Sequence, residues 1–262
     1  MGPASQATKE SQQTGWYVYG ILPGDVELNS ELRGVGDPPA KVGLVHSGDL
    51  AALVSEVKLS APLGSPEDLQ AHMAILDASA AGAPVLPLRF GAVVASEDAV
   101  VEELLDPHRE EFVAALEELE GSAEYVVTGR YVEQAILQEI LSEDPQAAEL
   151  ADQVRGADPD ATRDLRIRLG ELIGDAVAAK RAEDTRMFID AVQDLCNATF
   201  TREPSHELDA VYVAVLIPAD RAADLEQAVG DLADDEWKGR MELRILGPMA
   251  AYDFVGTAEA QG

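Results

Sequence analysis

Apolar residues recur along this chain with two periods, near 2 and near 3.6, and the alternation between them predicts its elements. Residues 16–22 (WYVYGIL) are dense in aromatic and β-branched side chains and stop at Pro23-Gly24, which predicts a strand running into a turn. Residues 41–46 and 50–57 predict two further strands joined by the turn formers Ser47-Gly48-Asp49. Ser65-Pro66-Glu67-Asp68 supplies an N-cap, a proline at the first helical position and acids in the first turn. The helix it starts is expected to run to about Ala81 and to stop near Gly82. Residues 85–94 return to extended structure. Residues 97–120 read as helical, with a break at Asp106-Pro107 and a stop at Gly121.

The second half repeats the alternation with longer helices. Tyr125, Val127 and Tyr131 predict a strand over 122–131, followed by short helices over 133–141 and 145–154. Asp158-Pro159-Asp160 is expected to open the longest helix by the same cap-and-proline logic. Its residues Leu165, Leu169, Leu172, Ile173, Ala176 and Val177 keep the spacing of one buried stripe. Phe188, Val192 and Leu195 resume that spacing after a charged stretch, as one bent helix or as two. A short strand over 197–201 follows. The nearly all-apolar 210–217 (AVYVAVLI) reads as a central strand buried on both faces. A helix from Pro218 to Leu232 precedes a strand over 241–246, with Leu243 and Leu246 taken as its alternating positions. Gly247-Pro248 is expected to turn the chain into a last aromatic-rich strand or tail, 250–255.

This order predicts an α+β fold in two domains, an N-terminal one over 16–121 and a C-terminal one over 122–256. In the second, strand, helices, strand, then strand, helix, strand is a ferredoxin-like split βαβ, with extra helices inserted into its first crossover. Polar stretches at 1–15 and 257–262 read as flexible tails, the first without the apolar core of a signal peptide.

Charge narrows the partners. Across 262 residues, 19 basic and 49 acidic side chains leave a net −30, while 47% hydrophobic content is that of a globular chain. The excess is −14 up to Gly121 and −16 beyond it, so both halves carry it. A protein this acidic repels phosphate backbones and anionic lipid, which sets nucleic acid and membrane aside as partners. The one cysteine, Cys196, excludes an intrachain disulfide and sits at helical spacing as a buried, inert thiol. A cytoplasmic protein is expected, since no apolar run approaches the length of a bilayer span.

Candidate chemistry is sparse. His46, His72, His108 and His206 are scattered without metal-ligand spacing. Gly34-Val35-Gly36 runs into Asp-Pro-Pro instead of a helix, so it lacks the context of a dinucleotide fingerprint. No nucleophile elbow or Walker sequence occurs. No catalytic residue, cofactor-binding residue or metal ligand is expected, and the acid run Asp234-Asp235-Glu236 is a solvated surface. Gly170 and Gly174 mark a place where another helix or strand packs closely. Residues 155–186 hold seven basic and seven acidic side chains. That neutral stretch reads as helix-stabilising pairs such as Asp164 with Arg168, or as a docking face. Arg89, alone in PVLPLRFG, is expected to be buried and paired with a carboxylate, or else exposed at a contact.

Several segments occur together in one order: WYVYGI, GVGDPP with the following DLAALVSEV, VLPLRFGAVV, DLRIRLGELIGDAVAAKR and the closing LRILGPMAAYDFV. With them the chain resembles the gas vesicle protein F/L family (GvpF/GvpL) from about Trp16 to Val255. It departs in having Ala250 and Ala251 where prolines are expected, and a shorter segment between Phe200 and Asp209. The resemblance implies two α+β domains, one ferredoxin-like, and a non-enzymatic accessory or minor structural role in building gas-filled protein shells for buoyancy. It further implies binding to the small, hydrophobic major shell protein and to other gas vesicle proteins, with localisation to gas vesicle and cytoplasm. It supplies no catalytic residues. The other reading open to an α+β chain is a small-molecule-binding or enzymatic domain.

Overall fold

A computed structural model describes residues 14–28, 32–60 and 63–255. The expected tails lie outside these residues, apart from Thr14 and Gly15, which open the first strand. The chain forms two compact units, residues 14–121 together with 249–255, and Ser122–Pro248. Each combines helices with one antiparallel sheet.

The first unit is built on β1 (Thr14–Pro23), β2 (Val42–Ser47) and β3 (Leu50–Lys58). The short β4 (Leu86–Pro87) and β5 (Val93–Val94) both pair with β1, which gives the order β2-β3-β1-β4. The segment expected to be extended over 85–94 is thus two strand fragments around a turn at Phe90-Gly91. Helix α1 (Pro66–Ala80) starts where the sequence places it. Ser65 Oγ accepts from the Asp68 N–H at 3.1 Å, and Asp68 Oδ2 accepts from the Ser65 N–H at 3.0 Å. Helices α2 (Glu97–Ala99) and α3 (Arg109–Leu119) flank a wider π-helical turn, Val100–Leu105. Tyr17, Tyr19, Leu22, Leu53, Ile75 and Leu76 form the centre of the core.

The expected second domain reached residue 256, but residues 249–255 belong to the first unit. Ala250 is 1% exposed within the first unit's core, and its N–H donates to Asp77 Oδ1 at 3.1 Å. Tyr252 Oη donates to the same carboxylate at 3.2 Å. Asp77 therefore anchors the returning segment, a hydrogen bond that no sequence period reports. No strand forms over 250–255, where turns replace it.

The second unit runs β6 (Ser122–Tyr131), α4 (Glu133–Glu143), α5 (Pro145–Val154), α6 (Arg163–Val192), β7 (Ala198–Thr201), β8 (Asp209–Pro218), α7 (Ala222–Asp234) and β9 (Met241–Met249). A 3-10 turn at Ala219–Arg221 precedes α7. The sheet order is β7-β8-β6-β9, with β8 antiparallel to both β6 and β7. Val211, Val213, Val215 and Ile217 of β8 pack with Ile136, Ile140, Phe188 and Val192 of the helices. Burying side chains of this kind contributes roughly 1.5–3 kcal/mol each.

Two local expectations shift. Helix α6 is one continuous helix of 30 residues and begins at Arg163, not Pro159. The Asp158 carboxylate instead caps a separate turn, accepting from the Asp160 N–H at 2.8 Å, while Thr162 Oγ1 donates to the Asp158 carbonyl. In β9 the inward positions are Met241, Leu243 and Ile245, which keep the period of 2, whereas Leu246 is 53% exposed.

Candidate functional site

The conspicuous motifs of the first half hold the fold together. Asp68 accepts from the N–H groups of Gly36 (2.7 Å), Gly64 and Ser65, so one carboxylate ties the GVGDPP loop to the start of α1. These donors, the Gly36 N–H first, hold its carboxyl below the usual carboxylate range. Tyr19 Oη accepts from the Val35 N–H and donates to Ser55 Oγ. Tyr17 Oη lies 2.9 Å from His72 Nδ1 and accepts from the Gly91 N–H. Burial pushes Tyr17 up to about 12 and lowers His72, so both are neutral near pH 7. Gly36 and Gly91 hold φ of +97° and +92°, which suits glycine. The loop and the PVLPLRFG segment thus serve the core. Arg89, expected to be buried and paired or else exposed at a contact, is exposed and has no ion pair among the described residues, since the turn aims it outward while Phe90 packs inward.

The histidines do not converge. His72 is buried, while His46, His108 and His206 are exposed near Gly24 O, Glu111 and Leu208 N. Cys196 is half-buried, bonds to the Val192 carbonyl, and is raised to about 11 by burial, so it stays a thiol near pH 7.

The second unit contains a buried ionic cluster that the sequence reading missed. Asp184, on α6 and 3% exposed, accepts from Tyr131 Oη, from Trp237 Nε1 at 3.1 Å, and from Arg240 Nη1 at 2.7 and 2.8 Å. Arg240 also donates to Glu139, which accepts from Lys180 as well. Burial would raise Glu139, but the Arg240 and Lys180 bonds outweigh it and hold it below its usual range. Burial raises Tyr131, and its bond to Asp184 adds to the effect. The charged groups here bond to one another, Lys180 reaching Glu143 as well, so the cluster locks α6 to α4 and to the turn before β9. No spacing in the sequence signals it, because its residues are drawn from positions 131 to 240.

The first half of α6 differs. Of the expected buried stripe only Val177 is buried, while Leu165, Leu169, Leu172, Ile173 and Ala176 stay partly exposed and Ile167 is 53% exposed. Close packing was expected at Gly170 and Gly174, yet a Cβ built on either meets nothing within 4 Å. These glycines floor an open groove of about 810 Å³. Ile136 and Leu137 of α4, Ile173 and Val177 of α6, and Leu208 supply its apolar lining. The loop over 204–208 forms one wall and is held by Asp209, which accepts from the Ser205 N–H and hydroxyl and from the His206 N–H at 2.8–2.9 Å. Arg181 braces the same loop by donating to the carbonyls of Glu207 and Asp209. Ser205 and Asp209, four residues apart, are the one local signal for this wall.

The expected Asp164–Arg168 pair does not form. Among the described residues Arg163, Arg168 and Arg186 have no ion-pair partner, and Arg166 and Arg181 reach only neutral oxygens. In a chain of net −30, unpaired arginines gathered on one helix need a reason.

Residues 15–256 match the family of gas vesicle synthesis protein GvpL/GvpF. Gas vesicle protein F of Streptomyces sp. is 32% identical over 249 residues, covering 91% of this chain and 98% of that one. Gas vesicle protein L of Streptomyces sp. is 30% identical, covering 93% of each. Among solved structures, the crystal structure of GvpF from Anabaena sp. superposes with a TM-score of 0.77 at 26% identity, over 93% of this chain and 98% of that one. The mixed fold with two antiparallel sheets is thus that of GvpF structures. The chain belongs to the GvpL/GvpF family and has a role in gas vesicle formation.

Proposed function

From that membership we propose that this protein is a non-enzymatic assembly factor that binds the small, hydrophobic major shell protein of the gas vesicle. The observation that carries the reading is the open apolar groove on α6. Leu169 and Ala176 of the expected stripe pack at the edge of the core, while the neighbouring face of α6, with Gly170, Ile173, Gly174 and Val177, is left open, and an open apolar face is a surface for another chain. A strongly acidic body suits a carrier that keeps a sticky subunit dispersed. Other gas vesicle proteins are further partners, and nucleic acid and lipid membrane are not. The chain acts at the gas vesicle and in the cytoplasm. We further read 16–121 and Ser122–Pro248 as separate domains, the second a ferredoxin-like split βαβ with helices α4 to α6 in its first crossover. The order β7-β8-β6-β9 supports that reading.

Co-expression with the shell protein tests the function. Affinity capture of this chain is expected to retain the shell protein, and to raise the share of it that remains in the supernatant. No association at low or high salt, together with normal vesicles in a deletion strain, overturns the proposal. Immunodetection on washed vesicles separates a lasting wall component from a transient carrier.

A further inference from the structure

The first unit has a cleft of about 430 Å³ whose lining carries charge of one sign only. Its floor is apolar: Leu50 and Leu116 are buried, and Pro23, Val26, Pro84 and Val113 are partly covered. Asp25 and Asp49 reach it from strand ends, and Glu117 and Glu120 from the end of α3. No basic side chain lines it. Arg109, which is not part of the lining, pairs with Asp49. The carboxylates of Asp25, Glu117 and Glu120 have no partner among the described residues. In the second unit the groove on α6 and two smaller clefts each include an arginine, so the acidic sign of this lining is a local feature.

Two helix ends add to the field. Helix α1 stops at Ala80, just before the lining residues Gly82, Ala83 and Pro84, and α3 stops at Leu119, between Glu117 and Glu120. Each end carries the equivalent of about half a negative charge, and neither has a basic side chain in its last turn. Glutamates at the end of α3 are thus disfavoured in the free chain, and a cation brought from outside offsets that cost.

These features select the occupant. Acids around an apolar floor repel an acidic chain, a second copy of net −30 included. No group of three His, Cys, Asp or Glu among the described residues is placed to hold a metal ion, so a compact cation does not fit either. A cation with an apolar stem does fit, and a lysine or arginine side chain is one, with its stem on the floor and its head at the rim. A slender free polyamine leaves the broad, branched floor largely unfilled, whereas the neighbouring apolar side chains of a polypeptide cover it. We propose that this cleft receives a basic and apolar segment of another protein, whose lysines or arginines meet Asp25, Glu117 and Glu120 while its apolar side chains lie on Leu50, Val113 and Leu116. The proposal depends neither on the open groove of α6 nor on which protein supplies the segment.

The test uses the full chain and three labelled peptides of one length, built from lysine with leucine, glutamate with leucine, and lysine with serine. In fluorescence anisotropy titrations the lysine–leucine peptide is expected to bind about tenfold more tightly than either of the others. Glu117→Gln with Glu120→Gln is expected to weaken it about tenfold and to raise the urea midpoint of the free chain, followed by circular dichroism. Glu102→Gln with Glu103→Gln removes the same charge from exposed positions outside the cleft and is expected to leave binding nearly unchanged. Equal effects of the two pairs trace the attraction to net charge and overturn the site. A urea midpoint lowered by Glu117→Gln with Glu120→Gln makes these carboxylates part of the fold and also overturns it. Equal binding of the lysine–leucine and lysine–serine peptides overturns the role of the floor, and binding of no peptide overturns the whole. Displacement of the peptide by an equal concentration of spermidine or of calcium assigns the cleft to a free polyamine or a metal ion. A dimer in sedimentation that Glu117→Gln with Glu120→Gln dissolves assigns it to a second copy. Either result overturns the proposal.

Discussion

One helix, α6, behaves in two ways along its length. Residues 178–192 bury Asp184, Phe188 and Val192 and tie them to α4, β6 and the segment before β9. Residues 163–177 carry nearly as many apolar side chains, seven against eight, yet bury only Val177. The difference lies in what stands opposite. The C-terminal half faces a sheet and an arginine that closes an ionic cluster, and the N-terminal half packs against α5 on one side while a groove bounded by α4 and the 204–208 loop leaves another side open. Apolar periodicity therefore marks a face that is to be covered, without saying which chain covers it.

The contrast predicts a graded response to substitution, measured by urea unfolding so that salt does not screen the ion pairs. Fluorescence in a Trp16→Phe background isolates Trp237, which is 1% exposed, as the reporter of the second unit. Asp184→Ala is expected to cost about 3–5 kcal/mol, because Arg240 and the Tyr131 and Trp237 donors lose a buried acceptor. Phe188→Ala costs a comparable 3–5 kcal/mol, whereas Leu169→Ala, only partly buried at the edge of the core, costs about 1–2 kcal/mol. Equal losses for Phe188 and Leu169 erase the distinction between the halves. Gly170→Ala and Gly174→Ala are expected to stabilise the unit by about 0.5–1 kcal/mol each, since both glycines face open space within a helix. A loss of stability at either indicates hidden packing.

The smallest effect is on pH. Glu139 titrates lower when folded than when unfolded, so its contribution is present above its unfolded value, near 4.5, and fades as pH falls through the lower folded value. The urea midpoint of the second unit is expected to decline below about pH 4.5. Glu139→Gln makes that decline shallower. An unchanged slope removes Glu139 from the account.

Much of the local structure was legible. Ser65-Pro66-Glu67-Asp68 announced α1 because a cap is satisfied within four residues, and the AVYVAVLI run announced β8 because both its faces are buried. Legibility stopped where partners are distant. Asp77 holding Ala250 and Tyr252, and Asp184 holding Arg240, bridge residues too far apart in sequence for any period to register. The groove was half legible. The neutral stretch and the paired glycines drew notice, but they were read as packed or paired, and the structure leaves both open.

By itself the sequence determined the elements, the α+β class, the family and the acidity of both halves, because caps, turns, periodicity and composition act locally or add up along the chain. Tertiary structure alone decided that the C-terminal segment returns to the first unit, that one buried aspartate organises the second, and that one face of the first half of α6 stays open. Those outcomes depend on which surfaces meet, and a one-dimensional pattern records that a surface is apolar or charged without recording what lies across from it.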